Sequence, residues 1–127
     1  MHTEFKVWSN IFFLIPFLLS TYYHLFIQSI FILAVTLFST LFHIHNEKKW
    51  NYFDKISATL LISFNFYLLY LSYFKEPYFL LAIFFVIFAF YFYFTQKKSN
   101  YNVHHSLWHL SSAIITILCI FAYVARI

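Results

Sequence analysis

Residues 11–46 read IFFLIPFLLSTYYHLFIQSIFILAVTLFSTLFHIHN, a run without a single Asp, Glu, Lys or Arg. A hydrocarbon core of about 30 Å is crossed by roughly 20 helical residues, so this run is too long for one pass. Its main polar break is Ser20-Thr21-Tyr22-Tyr23-His24. Divided there, it gives two spans, over residues 5–20 and 24–45. Working outward, three more apolar stretches follow, over 56–74, 78–95 and 105–123. The fold expected is an all-α, polytopic transmembrane helix bundle of about five spans, forming one domain over residues 1–127. Pro16 is expected to kink the first helix. Lys6 and the apolar run Ile11–Leu19 have the order of a secretory leader, but no small-residue cleavage site follows. An uncleaved first helix is therefore expected.

Composition leads to the same class. Of 127 residues, 63% are apolar and only 9% charged, against roughly 25% charged in a soluble domain. So few charges cannot cover a water-exposed surface, and so much hydrophobicity excludes disorder. Glycine is absent, which excludes the P-loop and the dinucleotide fingerprint, since both need backbone close against phosphate. The net charge of +4 comes from basic residues scattered singly and in pairs, so no nucleic-acid partner is expected. Cys119 is the only cysteine, and no intrachain disulfide can form.

Charge also orients the chain. With five spans, Lys6, Lys48, Lys49, Lys55, Lys97 and Lys98 share one side, against Lys75 and Arg126 on the other. The positive-inside bias places the N-terminus in the cytoplasm and the C-terminus outside. Trp8, Trp50, Tyr52, Tyr78 and Tyr101 fall near span ends, where aromatic residues sit at the lipid–water boundary.

Polar side chains inside lipid are costly and face the bundle interior. In the second span Thr36, Ser39, Thr40 and His43 follow i, i+3, i+4, i+7 spacing, one helical stripe. In the last span His105, His109, Ser112, Thr116, Cys119 and Tyr123 form another. In the third, Asp54, Ala58, Leu61 and Asn65 share a face. Combined with the topology, His43, Asp54, His105 and His109 are expected at one depth near the cytoplasmic face. Three imidazoles and a carboxylate suit a catalytic zinc centre: His105 and His109 at i, i+4 can reach one ion, His43 supplies the third ligand, and the fourth position is left to water. Zinc lowers the pKa of that water to about 7. Asp54 would accept its proton or align it, and Ser39 would steady Asp54 or donate to a developing oxyanion. His104, ahead of the stripe, is the reserve ligand. His45 points away from His43, and Asn65 is expected to make an interhelical hydrogen bond.

Each residue alone also has an ordinary explanation. Histidines pack as hydrogen-bonded interior residues. Serine serves helix packing. An acidic residue at a helix start is favoured by the macrodipole. The joint pattern is what points to a metal. Two further alternatives stay open: a non-catalytic scaffold or membrane-remodelling protein in which the metal ties helices together, and a haem electron carrier with His43 and His109 as axial ligands.

The ordered set Ser39-Thr-Leu-Phe-His43, Phe53-Asp54-Lys-Ile-Ser-Ala and His105-Ser-Leu-Trp-His109 resembles the CREST superfamily. That group takes in alkaline ceramidases, adiponectin and progestin receptor-like proteins, hemolysin III-type proteins, post-GPI-attachment lipases and myomaker-like proteins. The resemblance implies a multi-span hydrolase with zinc on His43, His105 and His109. It implies a water contacted by Asp54, Ser39 behind it, and a membrane-lipid amide, ceramide-like, or ester as substrate. The family has seven helices, with three between the Asp helix and the last. This chain has room for one, over 78–95. Losing two keeps the last span's direction, so the zinc geometry is expected to survive. Part of the substrate wall would be missing, and a homo-oligomer could replace it.

Overall fold

The computed structural model describes residues 9–45, 47–95 and 101–126. Among these there is no strand. A 3₁₀ turn over Ser9–Phe13 leads into α1, Leu14–Tyr22; then come α2, Phe26–His45; α3, Lys48–Leu71; α4, Tyr78–Thr95; and α5, Tyr101–Val124. Among the described residues three stretches are long and apolar enough to cross a membrane: Phe26–His45, Tyr78–Thr95 and Val103–Val124. Asn10–Tyr22 is a shorter apolar helix. The expected third span lies in α3, which is 24 residues long but is not among those three; Asp54, Lys55, Asn65 and its tyrosines dilute its apolar character. Lys6, Trp8, Lys97 and Lys98 lie outside the described residues, as does the side chain of Tyr101.

The break between the first two helices falls where the polar cluster placed it. The bounds of α4 match the expected span. Two starts differ. α3 begins at Lys48 rather than near Ile56, and α5 at Tyr101 rather than His105, because a helix need not stop where lipid does. Pro16 lies in the first turn of α1, where a missing N–H costs little. The irregularity there is the change from 3₁₀ to α winding just ahead of it. With no glycine to turn the chain, His24, Tyr73 and Phe74 take left-handed φ values of 63°, 54° and 55°. Each costs about 1–2 kcal/mol for a residue with a Cβ.

The helices run up and down. α5 is central: it packs on α1 with its 3₁₀ turn, on α3 and on α4, while α2 leans on α1 and α3. α4 and α5 form an antiparallel hairpin, joined by Tyr93–Trp108 at one end and Tyr78–Phe121 at the other. α4 buries only Ala82 and Ala89, seven residues or two turns apart on one seam, and small residues allow close approach where glycine is missing. Ser57, Ser106, Ser111, Ala113 and Ala122 are buried as well.

Two apolar clusters stack along the interior, one around Phe13, Ile32, Val35, Leu61 and Ala113, the other around Leu68, Leu69, Cys119 and Ala122. Between them runs a polar ladder. Gln28 Nε2 donates to Asn65 Oδ1 at 2.7 Å, Asn65 Nδ2 to Thr116 Oγ1 at 3.0 Å, and Thr116 Oγ1 to the Ser112 carbonyl at 2.9 Å. It ties α2, α3 and α5 in one register, and gives Asn65 the interhelical role its sequence position suggested. Asn65→Leu should destabilise the bundle by about 1–2 kcal/mol, since it leaves Gln28 and Thr116 facing apolar atoms. Reversible unfolding in mixed micelles measures this.

Candidate metal centre

The end of α2 and the beginning of α5 meet at one end of the bundle. His43 lies two residues before α2 stops; His105 and His109 lie in the second and third turns of α5. The i, i+4 spacing stacks the latter pair on one face, with ring centroids 4.5 Å apart. The His43 ring sits 4.7 Å from that of His105 and 5.9 Å from that of His109. His43 Nε2 and His105 Nε2 are 2.9 Å apart. One ring nitrogen from each of the three lies within 4.8 Å of the others, and all three residues are buried. Two nitrogens on one tetrahedral zinc, each bonded at about 2.0–2.1 Å, stand about 3.3 Å apart. The 2.9 Å spacing and the 4.8 Å outer limit lie on either side of that value, so the donor set can close on a single metal ion. Aromatic rings frame it: Phe13 meets His109 edge-on at 6.0 Å, and Trp108 lies 5.4 Å from His105.

Ser39, one turn before His43 on the same face, is 2% exposed, and its Oγ has no hydrogen-bond partner among the described residues. A buried hydroxyl without a partner is uncommon and marks either strain or a missing ligand. The buried face of α2 includes Gln28, Ile32, Val35, Ser39 and His43. Thr36 and Thr40 flank this row instead of belonging to it. Thr36 returns its hydroxyl to the Ile32 carbonyl, and Thr40 accepts from Asn10 Nδ2 at 3.2 Å.

Asp54 is half-buried and stays outside the cluster of ligand atoms. Because α3 starts at Lys48, Asp54 stands nearly two turns inside the helix. Counted from the α2–α3 turn at 1.5 Å per residue, it is level with Ser39, about one turn deeper than His43. That position also removes the macrodipole explanation for it, which fades within the first turn; the acidic residue at the helix start is Glu47.

His104 is excluded from the cluster. Its Nδ1 lies 2.7 Å from Thr95 Oγ1, whose own proton goes to the Tyr91 carbonyl, so Nδ1 is the donor. His45 is exposed, as its direction implied, and His24 is exposed in the turn at the opposite end of α2. Sequence reasoning missed Asn10, Phe13 and Gln28. Gln28 was discoverable, since steps of four, three, four and four carry the Ser39–His43 row back to it. Asn10 was not, because a 3₁₀ turn has no helical period to follow.

Comparison with protein-family models, curated proteins and solved structures gives no match.

Proposed function

We propose that this chain is a zinc-dependent hydrolase embedded in a membrane, acting on the amide or ester bond of a lipid, with a ceramide-like amide the first substrate to try. The observation that carries the reading is the buried cluster of His43, His105 and His109, contributed by two helices distant in sequence. Zinc on these residues would supply Lewis acidity and a hydroxide source at neutral pH. Asp54, a half-buried carboxylate on the facing helix, is suited to take a proton from the attacking water. Ser39, level with Asp54 and one turn deeper than His43, has a hydroxyl without a hydrogen-bond partner among the described residues and would orient that carboxylate or the substrate oxygen. The order of Ser39, His43, Asp54, His105 and His109 along the chain supports the resemblance to the CREST superfamily. Metal analysis of the detergent-purified protein, beside release of fatty acid from ceramide and from ester lipids, tests the proposal. A protein without near-stoichiometric zinc would remove it.

The proposed topology has five passes, with the N-terminus and the histidine end on the cytoplasmic side. Lys48, Lys49 and Lys55 support it among the described residues. Buried Cys119, the sole cysteine, leaves a low background for labelling. In intact expressing cells Glu76→Cys should react with a membrane-impermeant maleimide, while Glu47→Cys should stay protected until the membrane is opened. The reverse pattern would invert the topology.

One observation favours a second reading. Asp54 lies outside the ligand cluster, which suits a metal that only ties α2 to α5 in a scaffold protein. Haem is disfavoured, because the three imidazoles pack against one another and leave no slot for a macrocycle between them.

A further inference from the structure

We propose that the groove between α1 and α2 holds a single acyl chain, with Asn10 receiving a hydrogen-bond donor from the lipid's polar linkage; the placing of that linkage beside reacting groups rests on the hydrolase reading. The groove encloses about 370 Å³. Most of its wall is apolar, from Leu14 and Phe17 on one side to Ile32 and Leu33 on the other, and its polar lining is confined to Asn10, Thr36 and Thr40. Two of those three are already committed: Thr36 bonds the Ile32 carbonyl, and Thr40 accepts from Asn10 Nδ2. Asn10 Oδ1 is what remains. The residue is 3% exposed, lines the groove, and its Oδ1 has no hydrogen-bond partner among the described residues.

A buried amide oxygen in apolar surroundings calls for a donor. With Nδ2 given to Thr40, that donor must come from outside the described protein groups, as an O–H or N–H. The occupant that fits is therefore an amphiphile with an apolar tail and a donor at its head. Leu14 and Leu33 are more than half exposed at the rim, so such a molecule can slide in from the bilayer without crossing water. Phe13 belongs both to the groove wall and to the surroundings of His109. A head held by Asn10 is thus one side chain away from the metal centre.

The test is photolabelling in nanodiscs with a diazirine-bearing long-chain fatty alcohol, and with the matching hydrocarbon that lacks the hydroxyl. Adducts of the alcohol should concentrate on α1 and α2. Leu33→Trp, filling the groove from its exposed rim, should cut them by about tenfold; Leu14→Trp is the second variant if the first does not fold. Leu80→Trp, on the exposed face of α4, should change nothing. Asn10→Leu should lower labelling by the alcohol and leave that by the hydrocarbon intact. Adducts spread evenly over the lipid-facing helices, or indifferent to groove-filling tryptophans, would overturn the groove. An Asn10→Leu variant that affects both probes alike would overturn the head contact. The hydrolase reading fails separately: groove labelling in a protein that binds no zinc leaves the cleft and removes the enzyme, whereas zinc and lipid hydrolysis without groove labelling remove only the cleft.

Discussion

His105→Ala combined with His109→Ala should leave the purified protein without zinc. These two residues contribute two of the three nitrogens in the cluster, and His43 alone cannot hold an ion against competing water. Loss of a group that merely orients a ligand costs about 10–100-fold in metal affinity, so loss of a ligand costs more, and loss of two abolishes stoichiometric binding. Each single variant should fall at least as far as that range. The fold should survive. The two side chains lie at one end of the bundle, away from the Gln28–Asn65–Thr116 ladder and from the cluster around Leu68 and Cys119. The 2.9 Å hydrogen bond between His105 Nε2 and His43 Nε2 is lost with the substitution. Elemental analysis after gel filtration, with thermal unfolding alongside, gives the answer. Full zinc content in the double variant would mean that the ion sits elsewhere.

Asp54→Asn should separate the two readings of the metal. If Asp54 is the proton acceptor, the substitution keeps zinc near one per chain and lowers turnover by about 10²–10⁴-fold, the usual contribution of a positioned base. Unchanged turnover in Asp54→Asn would assign the ion to holding α2 against α5 and no more.

The histidines were legible because a helix of 3.6 residues per turn prints its faces on the sequence. His105 and His109 could only point the same way, and His43 shares its row with Ser39. Asp54 was harder. Lys48, Lys49 and Trp50 read as a loop wherever membrane thickness sets the limit of a helix. In fact α2 ends at His45 and α3 starts at Lys48. The turn is too tight for a loop of that length, and the helix runs out past the apolar stretch. This shift moves Asp54 from a helix start to a position level with Ser39. The bounds of α4 were plain because nothing polar interrupts it. Asn10 stayed hidden, as its place depends on how the 3₁₀ turn lies across α2 and α5, a tertiary fact with no local pattern.

Among the five helices α4 stands apart. It packs chiefly on α5, through Ala82 and Ala89, the Tyr78–Phe121 and Tyr93–Trp108 ring contacts and the Thr95–His104 hydrogen bond, and supplies no residue to the histidine cluster, the ladder or the groove. Its task is the return stroke that brings the chain back so that α5 can start beside the end of α2. Any odd number of strokes would do this equally well. The centre is thus insulated from insertions or deletions of helical hairpins at that point, and chains of quite different length could keep an identical arrangement of imidazoles.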